Sequence, residues 1–170
     1  MRFFKKIHII FSKSNNLFEE VLLPIMPKEL VDDINKMKMI HQNLEWHPED
    51  LLYIHTKVVT NRLHKKYKNI NLILAGVFHD LGKIDTTFFN EEKNTYSAHG
   101  HEDLSLVYIE QNIEWIKSVG GNPDKIRYIV QHHMRVKFLN EMKKSKKLRF
   151  QAEKWFHLVE KFATCDKGGF

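Results

Sequence analysis

The adjacent pair His79-Asp80 is the part of this sequence best suited to chemistry, because it directly follows an apolar run. Residues 72–78 read Leu-Ile-Leu-Ala-Gly-Val-Phe, and Leu-Gly-Lys follows at 81–83. Burying an imidazole beside a carboxylate is unfavourable unless another interaction compensates for the lost hydration. A divalent cation bound by both side chains is the simplest such interaction. We therefore interpret this stretch as a metal-ligating helix end.

Further candidate ligands recur along the chain, each near the end of a predicted helix or on a separate helix. They are His55, His101, His132 or His133, and Asp166. Helical bundles build metal sites from side chains that project inward from facing helices. Imidazole and carboxylate without thiolate favour Mn, Fe, Co, Ni, Zn or Mg over a structural zinc site. We expect one or two such ions.

Composition indicates one globular domain with a modest positive charge. The 170 residues include seven Gly and four Pro, too few for a β fold rich in tight turns. Lys and Arg number 27 against 21 Asp and Glu, a net charge of +6 that favours anionic partners such as nucleotides or nucleic acid. The single cysteine fits a cytoplasmic setting, and no apolar stretch approaches the roughly 18 residues of a membrane span.

Apolar residues recur at helical spacing over most of the chain, which predicts an all-α bundle of five to seven helices. The predicted helices cover residues 28–44, 51–66, 70–81, 101–119, 124–136 and 150–165. We expect Gly82 to stop the third helix, residues 83–99 to form a loop, and the lysine-rich residues 143–147 to form a solvated link. Pro24 and Pro27 mark a break, so we predict an N-terminal arm over 1–27 and a domain over 28–170.

The order of these residues resembles that of a known family. His, then His-Asp, then His, then His, then Asp is the order found in the HD superfamily of metal-dependent phosphohydrolases. The resemblance covers roughly residues 46–170.

A closer resemblance is to the HD domain of bacterial CCA-adding tRNA nucleotidyltransferases. It is carried by Trp-His-Pro-Glu at 46–49, His-Thr at 55–56, Phe-His-Asp-Leu-Gly-Lys at 78–83, His-Gly-His at 99–101 and Asp-Lys-Gly-Gly at 166–169. No Gly-Ser plus paired-Asp motif precedes them, so the resemblance implies the hydrolase chemistry and not CCA addition.

The resemblance assigns roles residue by residue. It makes His55, His79, Asp80 and Asp166 the ligands of one metal, and it matches His101 and either His132 or His133 to the histidines of members with a second metal. His99 competes with His101 for its role. Asp80 and Lys83 are the expected catalytic residues. The expected contacts to substrate are Lys83, His99, Arg135 and Lys167.

The implied activity is hydrolysis of a phosphoester by water that the metal activates, on a nucleotide or an RNA terminus. A 2′,3′-cyclic phosphate or a 2′-phosphate is the expected ester. A 5′-nucleotidase-type HD enzyme remains an alternative. A second alternative is a module that binds metal and a phosphorylated ligand without turnover. A third is a helical nucleic-acid-binding domain that uses the lysines of residues 143–147.

Overall fold

The computed structural model describes residues 14–167 and confirms the all-α class. Nine α-helices lie within this range, more than the five to seven predicted, because two predicted helices are each divided and a further short helix lies in the predicted loop over 83–99. The helices are α1 (Lys28–Lys36), α2 (Leu52–Tyr67), α3 (Ile70–Phe78), α4 (Lys83–Thr86), α5 (His101–Gln111), α6 (Ile113–Ser118), α7 (Pro123–Lys137), α8 (Lys144–Gln151) and α9 (Phe156–Ala163).

Helix α3 lies at the centre of the bundle because it is apolar on every side. All its residues from 72 to 78 are buried, and it packs against α2, α5, α7 and α9. The side chain of Asn69 caps its start by accepting the backbone N–H groups of Asn71 and Leu72. A Cβ at Gly76 would lie 2.9 Å from Oγ1 of Thr60, so glycine permits the close approach of α2 and α3.

The described part of the predicted N-terminal arm packs into the main core. Leu17, Phe18 and Leu22 have no exposed surface and join the same apolar cluster as α3. A π-helix (Phe18–Leu22) and a 3₁₀ turn (Leu23–Ile25) form this segment. Residues 14–27 therefore share the core of the bundle, while the boundary at residue 27 stays a prediction.

The predicted loop over 83–99 is instead a short helix, α4, followed by a β-hairpin. Strands β1 (Thr87–Asn90) and β2 (Thr95–Ala98) pair antiparallel, with Thr87 opposite Ala98. Threonine and aromatic residues suit strands, and Asn94 supplies a left-handed turn residue with φ of 49°. The hairpin leads directly into α5 and thus helps to place His101.

Two of the predicted helices are interrupted. The helix over 101–119 breaks at Asn112, whose side-chain amide donates to the carbonyl of Tyr108 at 2.8 Å. The helix over 150–165 breaks after Gln151, and the chain turns so that Phe150 and Phe156 pack edge to face. Most of the lysine run predicted to be a link belongs to α8, which the buried Phe150 anchors.

Two predicted helix ends were also placed too late. Helix α1 ends at Lys36 and a 3₁₀ turn (Met37–Met39) follows, after which His41 pairs with Leu51 and closes a loop. Helix α3 ends at Phe78, and Gly82 has a right-handed φ of −61°, so it is not a left-handed stop.

No helix within residues 14–167 is long and apolar enough to cross a membrane.

Candidate metal centre

A first group of ligand atoms joins the interior of α2 to the ends of α3 and α9. Nε2 of His55, on α2, lies 3.4 Å from Nε2 of His79 and 3.1 Å from Oδ1 of Asp166. Oδ2 of Asp80 lies 3.3 Å from Nε2 of His79 and 3.8 Å from that of His55. All four side chains are buried. We call this set the first cluster.

A second group of ligand atoms surrounds the other oxygen of Asp80. Oδ1 of Asp80 lies 3.1 Å from Nε2 of His101 and 3.7 Å from Nε2 of His133. The two imidazole nitrogens lie 3.3 Å apart, and both residues are buried. We call Asp80, His101 and His133 the second cluster. Asp80 thus belongs to both clusters, one oxygen in each.

Three of the four imidazoles are oriented by the same local hydrogen bond. Nδ1 of His79 donates to the carbonyl of Gly76 at 2.9 Å, three residues earlier. His101 and His133 likewise use Nδ1 toward carbonyls three residues before them, those of Ala98 and Val130. Once Nδ1 carries the proton, the lone pair of a neutral imidazole is at Nε2. All three therefore present a lone pair to the clusters.

The donor set fits divalent cations. For metal–ligand bonds of about 2.1 Å, neighbouring ligand atoms lie about 3.0 to 3.4 Å apart in octahedral or tetrahedral coordination. The separations in the first cluster run from 3.1 to 3.8 Å, and those in the second from 3.1 to 3.7 Å. Imidazole lone pairs that face each other without a proton between them repel, so a cation at their centre is the natural partner. His55, His79 and Asp80 of the first cluster lie close enough together to hold a metal ion, and so do the three residues of the second.

Two lysines compensate the buried carboxylates from outside the clusters. Nζ of Lys83 lies 2.7 Å from Oδ2 of Asp80 and donates to Gln42 at 2.8 Å. Nζ of Lys137, on α7, lies 2.9 Å from Oδ2 of Asp166. The side chain of Lys137 is 31% exposed, whereas that of Lys83 is 9% exposed. Solvent therefore approaches the site on the Lys137 side.

The charges set the protonation of the carboxyl groups. Burial alone would raise the pKa of Asp80, but His79 and Lys83 outweigh it and hold that pKa well below its usual range. Burial opposes ionisation of Asp166 in the same way, and Lys137 and His55 lower its pKa. Both carboxylates are therefore ionised and available as ligands at neutral pH.

The histidines divide according to their carboxylate partners. Burial lowers the pKa of His133, which stays neutral. Burial also opposes charging of His55, but its hydrogen bonds to Asp166 and Glu49 prevail and raise its pKa. The pKa of His101 is raised through Asp80 against the effect of burial. Protons and a divalent cation compete for these lone pairs.

The turn that carries His79 and Asp80 is fixed against α5. The hydroxyl of Ser105 donates to the carbonyl of His79 and accepts the backbone N–H of Gly82, both at 2.9 Å. A Cβ on Gly82 would fall inside contact distance of the His101 carbonyl oxygen. Glycine therefore lets the turn after α3 touch the first turn of α5, which brings Asp80 to His101.

The structure separates four candidate residues from the clusters. His132 turns away from His133 and packs between Tyr128 and Phe150. Arg135 stacks on Phe150 and lies 3.7 Å from Glu153. Two further candidates, His99 and Lys167, are exposed. The ring of His99 lies beside that of Phe88, and the backbone carbonyl of Lys167 accepts a hydrogen bond from Arg62.

Of the two histidine choices left open by the sequence, His101 and His133 are the ones that face Asp80. His132 and Arg135 lie on another side of α7, because residues 132 and 133 are about 100° apart around a helix. The contacts to substrate predicted for Arg135 and His99 stay predictions.

Sequence reasoning missed three polar groups around the site. Oε1 of Glu49 accepts from Nδ1 of His55 at 3.5 Å, and Gln42 accepts from Lys83. Lys137 follows His133 by four residues, the spacing that puts two side chains on one helix face, and this signal could have identified it.

The ring of His47 lies 4.4 Å from that of His55. Burial and the ammonium of Lys83 lower its pKa to about 3, so its ring is neutral.

Comparisons with known proteins agree with this geometry. The family model of the HD domain matches residues 52–153, more than half of the chain, so the chain belongs to the HD domain family, within the metal-dependent phosphohydrolase superfamily. The match contains every cluster residue except Asp166.

The Multifunctional CCA protein of Methylobacillus flagellatus is 24% identical over 126 residues. These cover 74% of this chain and 30% of that protein, so the chain spans less than a third of that relative's length. No solved structure matches the chain.

Proposed function

We propose that this protein is a two-metal phosphohydrolase that acts on nucleotides or RNA termini bearing a 2′,3′-cyclic phosphate or a 2′-phosphate. The observation that carries the proposal is the position of Asp80, whose two oxygens face two separate sets of histidines. His55, His79, Asp80 and Asp166 would hold one divalent ion. Asp80, His101 and His133 would hold the other.

Divalent ions bound there would lower the pKa of water and polarise a phosphoryl oxygen. The side chains of the protein must position the substrate and compensate its charge. Phosphoryl transfer depends mainly on positioning and charge compensation. Asp80 would orient the attacking water by accepting its hydrogen bond.

Lys83 is the candidate contact to the substrate phosphate. Its ammonium lies 2.7 Å from Asp80 and is held by Gln42. A cation fixed at this position offsets the negative charge of a phosphate that approaches the two carboxylates. Lys137 stands at the solvent side of the site and supplies a second positive charge.

The choice of ester follows from similarity. Multifunctional CCA protein is the name of a relative whose match covers most of this chain. The motifs that carry the resemblance to the CCA-adding HD domain include His55, His79, Asp80 and Asp166. The net charge of +6 agrees with an anionic substrate. Mn, Ni, Co, Fe, Mg and Zn all accept this donor set.

The test is a panel of 2′-, 3′- and 5′-nucleoside monophosphates and of 2′,3′- and 3′,5′-cyclic nucleotides, each with Mn, Ni, Co or Mg. We expect the 2′,3′-cyclic and 2′-phosphate esters to react best, and His79→Ala to lower turnover at least about 100-fold. His132→Ala is the matched control and should keep wild-type turnover.

Other outcomes have definite meanings. Preference for 5′-monophosphates would contradict the proposed ester and indicate a 5′-nucleotidase-type enzyme. Metal binding without turnover of any ester would contradict the hydrolase and indicate a module that binds a phosphorylated ligand.

A further inference from the structure

Helix α8 and the residue before it form a strongly basic surface. Five of the seven residues from 143 to 149 are Lys or Arg, and no acidic residue occurs from 142 to 152. The basic surface comprises Lys143, Lys144, Lys146, Lys147 and Arg149. All but Lys147 are exposed.

The charges on the basic surface are not neutralised by the protein. Within residues 14–167, none of the five makes an ion pair, and the side chain of Lys147 donates a hydrogen bond to the neutral side chain of Asn140 at 3.1 Å. Some exposed lysines elsewhere do form ion pairs, as Lys28 does with Asp32 and Lys36 with Asp33. No acidic side chain within the described residues neutralises the five charges grouped at residues 143–149 in this way.

Local electrostatics make this arrangement unfavourable for the helix itself. The first turn of α8 contains no acidic residue and has no side-chain cap. Cations near the positive end of a helix dipole destabilise the helix. The cost is offset on the opposite side of α8, where buried Phe150 stacks on Arg135 and packs against Phe156. The packing of Phe150 thus maintains a helix whose positive charges a bound polyanion would stabilise.

The basic surface adjoins the solvent side of the candidate metal centre. The contact between Lys147 and Asn140 places α8 beside the turn that follows α7. Helix α7 ends at Lys137, whose ammonium lies 2.9 Å from Asp166. Asn140 follows Lys137 by three residues, a span of at most about 11 Å. A short stretch of polynucleotide can therefore reach from α8 to the clusters.

We propose that the basic surface binds the phosphodiester backbone of a single-stranded RNA whose terminal phosphate lies at the metal centre. This inference rests on the proposed function and names RNA ends, rather than free nucleotides, as the substrate class. Membrane binding fits less well, because Leu148 is the one exposed large apolar residue of α8 and an interfacial helix needs a broad apolar face.

The test is fluorescence anisotropy with a labelled RNA dodecamer that ends in a 3′-hydroxyl, so that no hydrolysis occurs. Its variant is Lys144→Gln combined with Lys146→Gln. The matched control is Lys65→Gln combined with Lys68→Gln, which removes the same charge from exposed lysines at the end of α2. Thermal melting of each protein checks that it is folded.

We expect the α8 double variant to weaken RNA binding about ten-fold near 100 mM salt and to reduce the slope of log affinity against log salt by about 1.4. The α2 control should change neither quantity by more than about two-fold. Equal weakening in both variants would overturn the inference, and so would undetectable binding by the wild type. Vesicles of equal parts phosphatidylserine and phosphatidylcholine that bind with the same dependence on Lys144 and Lys146 would show a membrane surface instead.

Failure of this inference is distinguishable from failure of the proposed function. Hydrolysis of a 2′,3′-cyclic mononucleotide by the wild type is measured on the same preparation. RNA binding through α8 without hydrolysis would contradict only the proposed function. Hydrolysis with RNA binding that does not depend on α8 would contradict only the inference.

Discussion

Oδ1 of Asp80 lies 3.1 Å from Nε2 of His101, whereas Oδ2 of the same carboxylate lies 3.3 Å from Nε2 of His79. His101 is the first residue of α5, and His79 directly follows α3. A carboxylate that uses both oxygens in this way can bridge two cations about 3.5 to 4 Å apart. Substitution of a single histidine in one cluster should therefore change the number of ions that the protein binds.

Metal stoichiometry should distinguish the two neighbouring histidines of α7. Purified wild-type protein loaded with Mn should hold two ions per chain by elemental analysis. His133→Ala should hold one, because the second cluster loses one of its three ligands. His132→Ala should still hold two, since His132 packs against Tyr128 and Phe150. Equal loss in both variants would contradict the assignment of His133.

Glu49 should act on metal affinity through His55. Its carboxylate accepts the Nδ1–H of that ring, and such an outer partner fixes the ligand's tautomer and orientation. Glu49→Gln should weaken Mn binding by about 10- to 100-fold, as measured by competition with a fluorescent chelator. Glu45→Gln, a change at an exposed residue of the same loop, is the control and should bind Mn normally. Normal affinity in Glu49→Gln would refute this role.

Replacement of two glycines by alanine should have unequal costs. A Cβ on Gly82 would fall inside contact distance of the His101 carbonyl and 2.8 Å from the backbone nitrogen of Ser105. Gly82→Ala should therefore lower the free energy of unfolding by about 3 kcal/mol in urea titrations. Gly100→Ala meets no atom within 4 Å and suffers only from its φ of 72°, so it should cost about 1 kcal/mol. A smaller cost at Gly82 would contradict the close approach of α5.

Acid should remove a stabilising contact near the N-terminus. Hydrogen bonds from Lys57, Asn16 and Tyr53 lower the pKa of Glu19 to about 2. A depressed folded pKa adds stability above the unfolded value near 4.5, and that stability is lost as pH falls from there toward 2. Because Glu19 is partly exposed, we expect only about 1 kcal/mol.

The comparison of wild type with Glu19→Gln measures this effect. The difference in melting temperature should be full at pH 6 and should shrink toward zero near pH 2. Glu20→Gln is the control, since within residues 14–167 the carboxylate of Glu20 forms no ion pair and accepts a hydrogen bond from the Ser14 hydroxyl. A difference that is independent of pH would show that charge is not the cause.

Much of the helical framework could be predicted because long apolar patterns specify it. The range predicted for the second helix, 51–66, is close to α2, and the range 124–136 is close to α7. Both helices carry histidines of the clusters. The HD family itself was recognisable from the His-Asp pair and the order of the other ligands, and the match over 52–153 confirms it.

The features of the fold and of the site that the sequence did not predict depend on contacts between segments distant in sequence. From the sequence, Gly82 was expected to end a helix. In the structure, glycine is needed there because a Cβ would collide with the backbone of α5. The lysines of α8 resembled a solvated link, because the anchoring by Phe150 is a tertiary effect. The choice between His132 and His133 needed the rotation of α7 about its axis. Local patterns do not contain that information.

Hydrolysis of a generic phosphodiester, bis(p-nitrophenyl) phosphate, by Mn-loaded protein tests the central claim most directly. The wild type should release p-nitrophenol, and Asp80→Ala should lose both this activity and bound Mn, because Asp80 belongs to both clusters. His132→Ala should match the wild type. Turnover by Asp80→Ala at the wild-type rate, or full Mn binding by that variant, would contradict a metal-dependent phosphohydrolase centre built around Asp80.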